Sequence, residues 1–135
     1  MIHHDVLIVG SGVMGVALAN SIDSDELSVG IIESNPQPSI SKRHLSINPK
    51  SLNFLKDLDV WKEIERNAYP YRKIKVWDQE GSGYIEFDSQ EADIDLLGHI
   101  VSEGKIQESL IDGLKSKKVN FYWDNKLIDI KKNPT

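Results

Sequence analysis

Gly10-Ser11-Gly12-Val13-Met14-Gly15 is a G-x-G-x-x-G run, and a carboxylate, Glu33, stands 23 positions after its first glycine (33 − 10). Residue types at this spacing serve to bind a dinucleotide. The first glycine permits a tight turn, the second lets a pyrophosphate approach the backbone, and the third lets a helix pack closely on a strand. The free N–H groups that open the following helix then face the phosphates, where the helix dipole favours negative charge. Glu33 can accept hydrogen bonds from both hydroxyls of an adenosine ribose, and it would repel a 2′-phosphate, which argues against NADP.

The motif carries weight only between a strand and a helix. Val6-Leu7-Ile8-Val9 is an unbroken apolar run of the kind that fills a buried parallel strand. Val16-Ala17-Leu18-Ala19 continues without a breaker, predicting a helix from near Val13 to Ile22. A second strand is expected over Leu27–Glu33, so the acid closes that strand. Asp23, Ser24 and Asp25 mark the turn between helix and strand.

Other groups of reactive residues are less specific. His3-His4 could hold a metal, but no acid or third histidine lies nearby in sequence, and a solvated terminus is the preferred reading. Pro36 and Pro38 make residues 34–39 a loop. It leads to Lys42-Arg43-His44, where Arg43 could return a bidentate fork to the cofactor phosphates or belong to a solvated cluster. Spacing alone leaves both open. Four acids between Asp88 and Asp95 lack a calcium-loop spacing and are read as an exposed loop.

The 135 residues suffice for one domain with a real core. An apolar fraction of 39% and a charged fraction of 27% are ordinary for a globular protein. The net charge of −5 offers no global attraction for nucleic acid. The absence of cysteine excludes disulfides, thiolate ligands and cysteine catalysis, and fits a reducing compartment. No run approaches the ~20 apolar residues of a membrane span. Met1 stands directly before the first strand, leaving no room for a leader in a bacterial start; a trimmed organellar precursor is the alternative.

Beyond the loop, Asn48 is a plausible N-cap with Pro49 at the first helical position. Leu52, Leu55 and Leu58 predict one buried helix face, and Trp61 with Ile64 a second short helix. The stretches 71–78 and 84–88 predict a half-buried hairpin around a Gly-rich turn. His99–Ser102 reads as a strand. Glu103-Gly104 opens a helix with Ile106, Leu110, Ile111 and Leu114 on one face, and Lys115, Lys117 and Lys118 suit its C-terminal end. Strands are expected at Val119–Trp123 and Lys126–Ile130. In a plain NAD domain the third parallel strand follows the second after one crossover. Here two helices and a hairpin intervene, which suits a flavoprotein.

The segments DVLIVGSGVMGVALA, KRHLSINPKSLNFLKDLDVW, IKVWDQEGSGYIEFD and LLGHIVSEGKIQESL resemble, in order and spacing, the ubiquinone-biosynthesis hydroxylases. These are single-component FAD-dependent aromatic monooxygenases related to p-hydroxybenzoate hydroxylase. The R-x-x-S-I-x-P-x-S run from Arg43 to Ser51 and Val76-Trp77-Asp78 are its more specific parts. The resemblance implies an α/β, Rossmann-like βαβ FAD-binding domain with a parallel sheet, an inserted helix pair and a β-hairpin, truncated relative to the family. Residues 1–135 would form a single FAD/NAD(P)-binding domain, incomplete at its C-terminal side.

By resemblance, Gly10, Ser11, Gly12, Met14, Gly15 and Glu33 hold the ADP part of FAD, and Arg43 reaches the phosphate region. Glu103 stands where the family usually has an amide that contacts the ribityl chain, and Asp59 replaces a glycine before Val60-Trp61. The family's later Asp-Gly and Gly-Asp fingerprints have no counterpart here, since Asp112-Gly113 falls inside a predicted helix. No catalytic side chain can be named. The implied activity is hydroxylation of an aromatic ring of a polyprenylated ubiquinone precursor, with oxygen activated by reduced FAD. The partners implied are that phenol-type substrate, a missing C-terminal portion or partner subunit, and no nucleic acid. The location implied is cytoplasmic or peripheral to the inner membrane, or the matrix side of the mitochondrion in a eukaryote. The rival readings are a non-catalytic truncated or split-gene nucleotide-binding subunit, and an NAD-binding oxidoreductase.

Overall fold

The structure is a computed structural model that describes residues 2–132. Met1, which carries the expectation about a leader, and residues 133–135 lie outside it. In chain order the elements are β1 (Val6–Val9), α1 (Val13–Ser21), β2 (Val29–Ile32), β3 (His44–Ile47), α2 (Pro49–Asp57), α3 (Trp61–Glu65), β4 (Tyr69–Tyr71), β5 (Lys73–Trp77), β6 (Tyr84–Asp88), β7 (Gly98–Ser102), α4 (Glu103–Leu114) and β8 (Val119–Tyr122). They fall into two compact units, one of residues 2–41 with 104–132 and the other Lys42–Glu103.

The first unit holds the parallel sheet β1-β2-β8. Ile8 is level with Ile31, and Ile31 with Phe121, so the middle of the central strand has apolar neighbours on both sides. Parallel neighbours need a crossover, and α1 supplies it between β1 and β2. Val16, Ala17 and Ala19 are its buried apolar residues, small enough for a helix to lie close to a strand. On α4, Ile106, Leu110 and Leu114 recur every four residues and are buried. Ile111 is half-buried, at the margin of that face. Burying each such side chain contributes about 1.5–3 kcal/mol.

Two expectations for this unit need correction. Lys126–Ile130 is not a strand. Asp124 turns the chain with φ 56, and the segment then runs without a ladder, with Ile128 and Ile130 exposed. The edges of the sheet are therefore β1 and β8. His4 is not part of a solvated terminus. Its Nε2 lies 2.7 Å from the Tyr122 hydroxyl, and the two rings meet edge to face at 5.6 Å. Gly30 makes the space, since a Cβ there would come within 2.7 Å of the His4 ring.

The second unit contains the antiparallel sheet β3-β7-β4 and the separate hairpin β5-β6. The strands β3 and β4 are too short to show a periodicity and were not expected. Asn48 caps α2 as its sequence implies, its Oδ1 accepting from Ser51 N–H at 2.8 Å, with Pro49 at the first turn. Leu55 on α2 is buried, Leu52 and Leu58 half-buried, and Trp61 and Ile64 on α3 buried. The Trp61 ring packs edge to face on His99 at 5.2 Å.

The hairpin is more exposed than its alternation implies. Ile74, Val76, Ile85 and Phe87 pair across one face, yet all are exposed. Lys73 and Lys75 pair with Asp88 and Glu86 on the other face, at 2.7 and 2.9 Å. Tyr71 belongs to β4 and pairs with Gly98, outside the hairpin.

Candidate functional site

The chain leaves β1 at Gly10, whose N–H donates to Ile32 O at 2.8 Å. Gly10 has φ 101, a conformation that side-chain-bearing residues rarely adopt. Gly12 is the N-cap of α1 with extended geometry, φ −63 and ψ 172. The first turn of α1 carries no acidic residue, so the positive end of its dipole is not neutralised from within. A Cβ on Gly15 would stand 2.1 Å from Gly10 O, so helix and turn could not approach as they do with any other residue. A Cβ on Gly12 would meet nothing within 4 Å. The turn thus has one crowded side, towards the protein, and one open side large enough for an anion. Ser11 is buried within it, whereas Met14 lies on the surface, 81% exposed.

Glu33 sits immediately after β2 and is buried. Its Oε2 accepts from Ser11 N–H at 2.9 Å and Ser11 Oγ–H at 2.8 Å. Its Oε1 accepts from the backbone and side-chain amides of Asn35, both at 2.9 Å, and from Ser34 Oγ–H at 3.3 Å. Hydrogen bonds from the Ser11 and Asn35 backbone outweigh burial and lower its pKa to about 2. The carboxylate is therefore ionised throughout the physiological range and fixed to the turn. A cleft of about 350 Å³ opens beside it, lined by Val9, Gly10, Ile32, Glu33 and Leu127 among others. Asn35 and Ser34 are exposed, so incoming hydroxyls can replace their side-chain donors on Oε1 without disturbing the buried bonds to Ser11.

Arg43 and Glu103 belong to the other unit, where they meet each other. The ladder of β3 and β7 pairs His44 with Ser102, and the Glu103 N–H donates to Arg43 O at 2.9 Å, one step beyond. That backbone register places the side chains together. Arg43 Nε donates to Glu103 Oε2 and Nη2 to Oε1, both at 2.8 Å. Glu103 raises the Arg43 pKa further above its usual value. Of the residues singled out by the sequence, Gly10, Ser11, Gly12, Gly15 and Glu33 converge on one turn, and Arg43 with Glu103 form a separate charged pair.

Two buried amides were missed by sequence reasoning. Gln107 Nε2–H donates to Ser11 O at 2.8 Å. Asn20 Nδ2–H donates to Val16 O at 2.9 Å and to Leu110 O at 2.8 Å, joining α1 to α4. The available signal was a polar residue on an otherwise apolar helix face, Gln107 beside Ile106 and three before Leu110. Among the described residues, no group of three or more histidines and acids is placed to hold a metal ion, and no helix is long and apolar enough to cross a membrane.

The sequence pattern of the family described as FAD binding domain matches residues 3–131. The chain belongs to that family. FAD is its cofactor, and the α/β fold with a parallel sheet is the family's. The 3-demethoxyubiquinol 3-hydroxylase of Escherichia coli (strain K12) is 30% identical over 119 residues, covering 83% of this chain and 30% of the relative. The mitochondrial ubiquinone biosynthesis monooxygenase COQ6 of Dictyostelium discoideum is 27% identical over 132 residues, covering 83% of this chain and 27% of the relative. The chain thus spans less than a third of these curated relatives, which are ubiquinone-biosynthesis hydroxylases as the resemblance implies. Neither the split-gene nor the NAD reading is favoured by them.

Among solved structures, p-nitrophenol 4-monooxygenase PnpA from Pseudomonas putida DLL-E4 superposes with a TM-score of 0.77 at 19% identity, over 95% of this chain and 33% of that one. PqsL of P. aeruginosa in complex with 2-aminobenzoylacetate gives 0.76 at 18% identity, over 98% and 36%. These likenesses show a shared fold.

Proposed function

We propose that this chain is the FAD-binding portion of a flavin-dependent monooxygenase that hydroxylates the ring of a ubiquinone precursor, and that residues 1–135 act as a single nucleotide-binding domain. The observation that carries the reading is the glycine turn, open at Gly12, with Glu33 locked to Ser11 beside the cleft. Gly10, Ser11, Gly12 and Gly15 form the cradle for the pyrophosphate, with Met14 at its outer rim. Glu33 takes the adenosine ribose hydroxyls in exchange for the Asn35 side chain. Arg43 supplies positive charge to the phosphate region and Glu103 faces the ribityl side, each by its place in the family's pattern. When bound, FAD supplies oxygen activation and hydroxyl transfer.

The residues of this chain bind and orient the nucleotide end; hydroxylation further requires a closed site that excludes water around the ring and substrate. We assign that enclosure to the additional polypeptide that the longer relatives possess, in the same chain or as a partner subunit. The names of the relatives support a ubiquinol-type phenol as substrate, and that of the COQ6 relative supports a mitochondrial site of action.

The test is Glu33→Ala in a titration with FAD. Losing the ribose contact and leaving the Ser11 and Asn35 amides unpaired should weaken binding by about 1–3 kcal/mol. Equal affinities would remove Glu33 from the site.

A further inference from the structure

We propose that Gln107 is a positioning residue for the glycine turn, holding the Ser11 carbonyl so that the Gly12 N–H is aimed at the phosphate the turn binds. The inference rests on the FAD reading above. The peptide between Ser11 and Gly12 is planar and trans, so its C=O and N–H point in opposite directions. Its oxygen accepts from Gln107 Nε2–H at 2.8 Å, on the buried side of the turn. The Gly12 N–H is therefore directed away from α4, and a Cβ on this residue would meet only open space. The preceding amide, Ser11 N–H, is already committed to Glu33 Oε2 at 2.9 Å. Two successive peptides are thus oriented by two different side chains, one for Glu33 and one for the ligand.

Such a lock matters because this turn is rich in glycine. Gly10 and Gly12 have little intrinsic preference among backbone conformations, and a flipped Ser11–Gly12 peptide would turn a carbonyl oxygen towards the phosphate. Ser11 and Gln107 are 1% and 5% exposed, so water does not supply the missing donor. Gln107 is itself held, because Asn20 ties α1 to α4 through Leu110 O at 2.8 Å. A neutral amide suits the task, since a charge buried at this point would carry a large desolvation penalty.

A residue that merely satisfies a buried carbonyl would affect all ligands of the fold alike. A residue that aims Gly12 acts on phosphate alone. The test measures ADP and adenosine affinity of the full chain by NMR titration, for wild type, Gln107→Met and Gln107→His. Methionine keeps the volume and removes the donor, while a neutral imidazole returns an N–H. Gln107→Met should lose about tenfold in ADP affinity with adenosine changed less than twofold, and Gln107→His should recover part of the loss. An equal fall for both ligands, or unchanged ADP affinity, would overturn the role. Should the variants unfold, wild type decides: the Gly12 amide resonance should shift with ADP and not with adenosine, and the Gln107 side-chain amide should exchange slowly. An unmoved Gly12 resonance or a rapidly exchanging Gln107 amide overturns the proposal. Wild type that binds neither ADP nor FAD defeats the FAD assignment itself, and the role of Gln107 with it.

Discussion

Arg43 and Glu103 meet fork to fork, with both N–H···O contacts at 2.8 Å, and the arginine side chain remains 76% exposed while the glutamate is 15% exposed. By resemblance an amide usually stands at the position of Glu103, so in this chain a carboxylate competes for the arginine that the proposed function assigns to FAD phosphates. An ion pair with so exposed a partner adds little to stability.

Glu103→Gln should therefore leave the melting temperature nearly unchanged and tighten FAD binding by about three- to tenfold, by removing a negative charge close to Arg43. Flavin fluorescence titration at two salt concentrations checks it, and the gain should shrink at high salt. Weaker binding in the variant would show that Glu103 contacts the cofactor productively.

The Glu33 carboxyl has its pKa lowered from 4.5 to about 2 in the folded chain. A depressed folded pKa gives stability that is fully present above the unfolded value and is lost as pH falls through the folded one. Denaturant melts should thus lose of order 2–3 kcal/mol between about pH 5 and pH 2 from this group. Glu33→Gln should flatten that slope. An unchanged slope would mean that the carboxylate is not held as the Ser11 and Asn35 bonds imply.

Asp59, which by resemblance stands in place of a glycine, sits at φ 57, just past α2. Its N–H donates to Lys56 O at 2.9 Å and the Val60 N–H to Leu55 O at 3.2 Å, a Schellman closure whose left-handed position favours glycine. Asp59→Gly should stabilise the chain by a few tenths to about 1 kcal/mol, read as a rise in melting temperature, and Asp59→Val should lower it. A lower melting temperature for the glycine variant would contradict this.

What the sequence disclosed and what it hid divide along chain separation. The G-x-G-x-x-G turn, the strand closed by Glu33, and the Asn48-Pro49 helix start are local patterns, and each appears where its residues predict. The βαβ crossover follows from an apolar run beside a helix pattern. The bond from Gln107 to Ser11 spans 96 positions and that from Asn20 to Leu110 spans 90, so no local window shows either. The Arg43 pair was hidden for a related reason, since it depends on the register of β3 against β7, and β3 is only four residues long. Lys126–Ile130 has the composition of a strand, but it follows the turn at Asp124 and joins no ladder. Alternation misjudged the hairpin because it reports which residues share a face, and another element must cover that face before it is buried.

The most direct measurement is FAD titration of wild type and Gly12→Val, with thermal melts of both. Gly12 has φ −63 and open space at its Cβ position, so valine fits the backbone and fills the cradle. Saturable binding by wild type, no binding by Gly12→Val and matching melting curves are the results predicted. Equal FAD affinity in the two proteins would contradict the assignment of the glycine turn as the phosphate site.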